Sequence, residues 1–369
     1  MDDGSKGTSR MTVGVDLGDH YSYLCFVDSE SGGEVLEESR VRTIPEAFQR
    51  RFGAERHLHI AIEVGTHSPW VSRLLEGCGH EVLVANARKV RLIYGDKRKN
   101  DKRKNDKLDA ENLARLARLD PKLLYPLKKH RDENSQAHLA LIRSREALVG
   151  SPTQLINHVR GAVKSFGARL PKCSARSFHK KKKKKVAEHL PKELTPALGA
   201  LLETIGELTE RIREYERKLE EIAKEHYPET GILRQVGGVG ALSALSFVLI
   251  LEDPSRLKKS RAVGAYLGLV PGEDRSGESD PQRRISKEGD EMLRRLMLSS
   301  AHYILGPFAH DSDLRRHGLK IAERGGKNAN KRAVVAVARK LSVLLHRLWV
   351  TGELYEPLYN TRRLGGEAA

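Results

Sequence analysis

The chain has 369 residues, with 66 Lys and Arg against 49 Asp and Glu and a formal charge of +17. That length allows about two to three domains, and a basic surplus of this size points to a polyanionic partner, nucleic acid first. Three cysteines with no CxxC pair exclude a zinc ribbon or disulfide framework, and no run of about 18 apolar residues exists to span a membrane.

The opening MDDGSKGTSR (1–10) is polar and lacks an apolar h-region, so it is expected to be a disordered leader rather than a signal peptide. With free cysteines in a reducing compartment, a cytoplasmic protein is expected. Residues 11–131 open as α/β. TVGVDLG (12–18) and YSYLCFV (21–27) predict a hairpin around Asp19 and His20. HLHIAIEVG (57–65) and HEVLVAN (80–86) predict two further strands, with a helix in SPWVSRLLEGCG between them. The order β-β-β-α-β implies a mixed sheet with helices packed on it.

A basic stretch follows, in which DKRKN occurs twice in tandem, at 96–100 and 101–105. DKLDAENLARLARL (106–119) predicts a helix. Residues 132–229 predict a helical region with a coiled-coil seam. Within it, Pro152 is expected to break or kink the helical pattern of 135–167, or to start a new helix. Lys180 to Lys185 form a run suited to phosphate contact or to a solvated loop. Leu198, Leu201, Ile205, Leu208, Ile212, Tyr215, Leu219 and Ile222 step by threes and fours, a seam for a helical hairpin or a dimer.

A third region, 230–357, is mainly helical and precedes a tail at 358–369. VGGVGALSA (236–244) resembles a helix-hairpin-helix turn, a weak pattern by itself. RAVGAYLGLVP, a polar Gly/Ser loop and DEMLRRLMLSSAHYIL come next. GGKNANKR then leads into a last helix over KRAVVAVARKLSVLLHRLW.

The chemistry-bearing residues are carboxylates. Alternation puts Asp16 with Gly14 on one face of its strand, and Glu63 with Ala61 on one face of its own. A carboxylate on an inner strand is costly unless it is paired or binds a metal. Asp106 and Asp109 are three apart and share a helix face. Such a set could hold two Mg²⁺ ions, which take oxygen ligands and act together on a phosphodiester. Local salt bridging is the plainer role, above all for Asp109.

GVDLGDHYSYLCFVD, AIEVGTHSPW and KNDKLDAENLARL, in that order, resemble the RuvC-like (RNase H-fold) domain of the DEDD transposases of the IS110 family of bacterial insertion sequences. VGGVGALSALSFVLILEDPSRLKKSRAVGAYLGLVP, then RSG and RRISKEGDEMLRRLMLSSA, resemble that family's C-terminal transposase domain. The resemblance implies a metal-binding tetrad at Asp16, Glu63, Asp106 and Asp109, and a serine nucleophile at Ser276, with Ser279 as second choice and Ser286 and Ser299 as rivals. It also implies donor and target DNA duplexes, a structured bridge RNA that guides both, and a homo-oligomer, a dimer assembling to a tetramer. Lys97, Arg98, Lys102, Arg103, Lys181, Lys183, Arg283, Arg284, Lys287, Arg294, Arg295, Lys327 and Lys331 are candidate nucleic-acid contacts. His20 and His67 neighbour the carboxylates in sequence but are expected to be surface histidines.

The tandem DKRKN and the long lysine run depart from the family pattern and are expected to strengthen nucleic-acid binding. A water-using RuvC-like nuclease or junction resolvase is the rival enzyme. A non-enzymatic nucleic-acid scaffold is the rival of another class. A sugar kinase shares G-x-D-x-G but lacks the expected phosphate loops here.

Overall fold

The computed structural model describes residues 11–30, 32–86, 106–124, 126, 131–180, 191, 194–272 and 283–361. The chain forms two compact units, Met1–Asp132 and Glu133–Ala369.

The first unit is built on a five-stranded sheet of β1 (Met11–Asp16), β2 (Tyr21–Asp28), β3 (Val35–Arg42), β4 (His59–Glu63) and β5 (Glu81–Ala85), in the order β3-β2-β1-β4-β5. β1, β2 and β3 run antiparallel, whereas β1–β4 and β4–β5 are parallel. Sequence alternation assigns the faces. Val13, Val15, Leu24, Phe26, Ile60 and Ile62 pack against α1 (Pro45–Phe52) and α2 (Ser68–Gly77) through Phe48, Phe52, Val71 and Leu75. The opposite face carries small residues. Cys25, Val27, Ala61 and Ala85 meet Ala110, Leu113, Ala114, Leu116 and Ala117 of α3 (Asp106–Leu119). Gly14 lies under that helix so closely that a Cβ would sit 1.9 Å from the Ala110 carbonyl oxygen.

Two elements of this unit were not expected from sequence. β3 is an edge strand, VLEESRVR, with six of its eight residues exposed, so it lacks the apolar alternation that marks a strand. α1 is only eight residues long and buries just Phe48 and Phe52.

The second unit is helical. It comprises α4 (Glu133–Ser165), α5 (Thr195–His226), α6 (Glu229–Leu233), α7 (Ala241–Leu251), α8 (Ala262–Tyr266), α9 (Glu291–Leu305), α10 (Asp313–Ala322) and α11 (Ala329–Thr351). α7 is buried on all sides from Ser243 to Leu251, as its unbroken apolar run requires. The Asp290 carboxylate caps α9 by accepting from Leu293 N at 2.8 Å, and Ser312 caps α10 in the same way. Left-handed Gly352 ends α11.

Pro152 neither breaks nor restarts a helix: α4 runs unbroken through it, with the proline ring buried. A mid-helix proline removes one backbone hydrogen bond, but packing secures α4 on both sides of it. Leu139 and Ile142 share a core with Leu219, Ile222 and Ala223 of α5. Ile156, Val159 and Val163 share another with Leu198, Leu202 and Ile205. The pairing of early α4 with late α5, and the reverse, makes the two helices an antiparallel hairpin. The apolar seam of α5 is therefore covered from within the chain. Leu202 and Thr209 are buried in it, where the heptad reading had placed Leu201 and Leu208. Among the described residues, no helix is long and apolar enough to cross a membrane.

Candidate active site

The four acidic residues singled out above converge on one end of the first unit. β1 and β4 are parallel neighbours, with Gly14 beside Ala61 and Val15 beside Ile62. One further step along that register sets Asp16 beside Glu63, both at the C-terminal ends of their strands and both on the α3 face. The direction of α3 brings the other pair to them. Its last turns lie over the β2–β3 connection, where Arg115 donates to Gly33 O at 3.2 Å and Arg118 to Gly32 O at 3.1 Å. That connection adjoins the start of β1, since Met11 pairs with Asp28. The first turn of α3 therefore lies toward the end of β1. Asp106 and Asp109 continue the inward stripe of Ala110, Leu113 and Ala117 by one turn, and are half-buried while Lys107 and Leu108 are exposed. Asp16 and Glu63 are half-buried as well.

The chemistry of this donor set, four carboxylates, fits a hard divalent cation. Its spacing does not yet make a cage. Among the described residues, no three or more histidine, cysteine, aspartate or glutamate side chains gather closely enough to hold a metal ion. Each of the four carboxylates already has a partner within the protein. The structure thus brings the tetrad to one end of the sheet without assembling the two-ion site expected from sequence.

The loops that follow the two acidic strands approach each other. His67, after β4, faces Asp19, after β1, at 3.6 Å from Nε2 to Oδ1. The Trp70 indole donates to His67 Nδ1 at 3.1 Å, which leaves Nε2 as the protonated nitrogen turned to Asp19. His67 is thus built into the loop base, with 28% of its side chain exposed, whereas His20 is a surface residue at 88%. Sequence adjacency to Glu63 was the available signal for His67. Asp19 carried none.

In the second unit, Ser276 and Ser279 lie outside the described residues, and so do Lys97, Arg98, Lys102, Arg103, Lys181 and Lys183. The two ends of the segment that carries Ser276 are clasped together. Pro271 and Ile285 form an antiparallel bridge, Gly272 N donates to Arg284 O at 3.0 Å, and Ser286 N donates to Val270 O at 2.8 Å. Beneath the clasp lies Arg294, expected to be a phosphate contact. It is only 8% exposed, and Nη1 donates to Leu267 O at 3.2 Å and Glu288 O at 2.8 Å. Burial commits this guanidinium to the backbone on both sides of the clasp. Arg295, in contrast, is more than half exposed, and it pairs with Glu146 at 2.6 Å. Arg283, Arg284, Lys287, Lys327 and Lys331 are all exposed. Ser286 belongs to the clasp, and Ser299 sits on the exposed side of α9.

Comparison with known proteins covers both units. A family model described as a transposase, of the DEDD IS110 type, matches residues 13–167. A second, described as the transposase of the IS116/IS110/IS902 family, matches residues 230–316. The transposase for insertion sequence element IS1111A of Coxiella burnetii is 31% identical over 220 residues, which are 58% of this chain and 59% of that protein. The transposase for insertion sequence element IS1328 of Yersinia enterocolitica is 29% identical over 69% of this chain and 72% of its own length. A probable family 20 transposase of Pseudomonas aeruginosa is 26% identical over 81% of this chain and 86% of its own.

Proposed function

The chain belongs to the IS110 family of insertion-sequence transposases, and from that premise we propose that it is a DNA recombinase that cuts and joins donor and target strands by serine transesterification. The observation that supports this reading is that strand register and helix direction put Asp16, Glu63, Asp106 and Asp109 toward one end of the sheet, on two parallel strand ends and one helix start. Phosphoryl transfer demands little covalent chemistry of the protein, but it demands strict positioning and charge stabilisation. Rigid strand ends supply the positioning.

In the proposed reaction Ser276 Oγ attacks a backbone phosphorus. One P–O bond of the DNA breaks, a serine–phosphate ester forms, and the released hydroxyl takes the serine proton. The reverse attack by a hydroxyl of another strand completes the exchange without any external energy source. Mg²⁺, held by the four carboxylates, would neutralise charge on the reacting phosphate. Partners follow from the same reading: two DNA duplexes, a bridge RNA whose pairing selects them, and further copies of this chain. Pairing by RNA would account for a formal charge of +17, because the protein then grips backbones.

The test is strand transfer between labelled donor and target duplexes with purified protein and a candidate guide transcript. Joined products that require both the transcript and Mg²⁺ are expected. Joining without RNA would remove the guide, and cleavage without joining would leave a water-using nuclease.

A further inference from the structure

The face of the sheet that holds Asp16 extends sideways across β2, where Tyr23 packs at the border of the core under α3, to the exposed edge strand β3. The cross-strand register is direct: Asp16 pairs with Tyr23, and Tyr23 with Arg40. One step toward the sheet end, Tyr21 pairs with Arg42. Side-chain parity sets all four on the α3 face, because Leu24, Phe26 and Val41 turn to the other core. Arg40, Arg42 and Tyr21 are exposed, and Tyr23 is half-buried. The Arg40 guanidinium lies 4.9 Å from the centre of the Tyr21 ring, which holds it in place without neutralising it. Neither Arg40 nor Arg42 has an acidic partner among the described residues, and the nearby Glu38 faces Lys107 at 3.9 Å.

We propose that Tyr21, Tyr23, Arg40 and Arg42 form the track that seats the DNA strand next to the phosphate under attack. The inference rests on the reading that the carboxylates act on DNA. Two free arginines beside four carboxylates are charge-complementary to a polyanion that must approach an acidic site. The exposed Tyr21 ring offers stacking surface to a base, indifferent to sequence, and the half-buried Tyr23 floors the track beside Asp16. Arg40 lies two strand spacings from Asp16, about 10 Å. On a B-form strand that is about three phosphates away, at one charge per ~3.4 Å. A strand with its reacting phosphate at Asp16 therefore reaches Arg40 within a few nucleotides.

The experiment uses the full chain, with binding of a fluorescent single-stranded DNA read by anisotropy in EDTA across a salt series, and cleavage of labelled donor and target duplexes read in Mg²⁺ with the guide transcript present. The variants are Arg40→Ala, Arg42→Ala, their double, Tyr21→Ala and Arg40→Lys. Arg50→Ala is the control, an exposed cation on α1 across the sheet. Each arginine lost is expected to weaken binding about tenfold, as for a hydrogen bond to a charged group. The double variant is expected to flatten the log–log salt slope by about 1.4, two contacts at about 0.7 each. Arg40→Lys is expected to keep the slope. Unchanged binding and slope in the double variant, with cleavage still abolished by Asp16→Asn, would overturn the track and leave the enzyme reading intact. An RNA oligonucleotide that loses affinity while DNA does not would assign the track to RNA and overturn it as stated. Wild-type protein that neither binds nor cleaves DNA would remove the enzyme reading, and the track with it.

Discussion

Gly14 is the tightest point between the sheet and the helix that carries Asp106 and Asp109. Its replacement by alanine puts a Cβ 1.9 Å from Ala110 O and 2.5 Å from Ala114 N. Ordinary contact begins at 3.4 Å, so the two backbones must separate by 3.4 − 1.9, or 1.5 Å, along the first of these lines. Both neighbours are backbone atoms, so no side-chain rotation relieves the overlap. Overpacking of this kind costs about 1–3 kcal/mol. The larger effect is expected at the site, because the shift moves Asp106 and Asp109 relative to Asp16 and Glu63. A misplacement of about 1 Å in a positioned site costs on the order of 10²-fold in rate. Thermal melting and single-turnover cleavage of labelled DNA are the two assays, with Gly77→Ala as control, since nothing lies within 4 Å of a Cβ there. A Gly14→Ala protein with wild-type Tm and wild-type cleavage would refute the claim that α3 is seated on Gly14 to set the carboxylates.

Replacing Arg294 with methionine keeps the bulk and removes both carbonyl contacts. Strand joining is expected to fall by tenfold or more with DNA affinity unchanged, whereas loss of affinity alone would restore Arg294 as a phosphate contact. Burial, with help from Glu111 and Glu38, pushes the Cys25 thiol up to about 11. Iodoacetamide at pH 8 is therefore expected to label Cys78 and Cys173 before Cys25, as peptide mapping would reveal. Burial lowers the pKa of His59 and, joined by Lys340 and Arg324, that of His317. The unfolded chain, whose histidines titrate near ~6.5, then binds more protons below that pH, so stability falls as pH drops through it. Tm is expected to be lower at pH 5.5 than at pH 7.5, with a smaller difference in the double variant His59→Gln/His317→Gln; an equal difference would contradict this.

Much of the first unit was legible because its signals are local. The alternation around Gly14 and Ala61 marked the face that α3 covers, and Asp106–Leu119 was bounded correctly from its apolar spacing. What was missed is what burial does not pattern. β3 is an exposed edge, so only its pairing partner defines it. α1 did carry a signal, Pro45 at its start and Phe48 and Phe52 four apart, but eight residues are too few for periodicity to show. Arg294 looked like one cation among many in a basic helix. Only the fold shows that its side turns inward beneath the clasp. The α5 seam was visible as a stripe, yet a stripe does not say what covers it, and α4 does so here. The same limit applies to Tyr21, Tyr23, Arg40 and Arg42, which are distant in sequence and become neighbours of Asp16 only through strand register.

The proposed recombination passes through a covalent intermediate in which Ser276 holds one DNA strand. It is tested by a denaturing gel of end-labelled donor and target DNA after reaction, in the presence of the guide transcript, with wild type, Ser276→Ala and Asp109→Asn, each with Mg²⁺ and with EDTA. The expected result is a protein-linked DNA band in wild type with Mg²⁺ only, absent from both variants. Cleavage that survives Ser276→Ala without any protein-linked band would contradict the claim and make water the nucleophile.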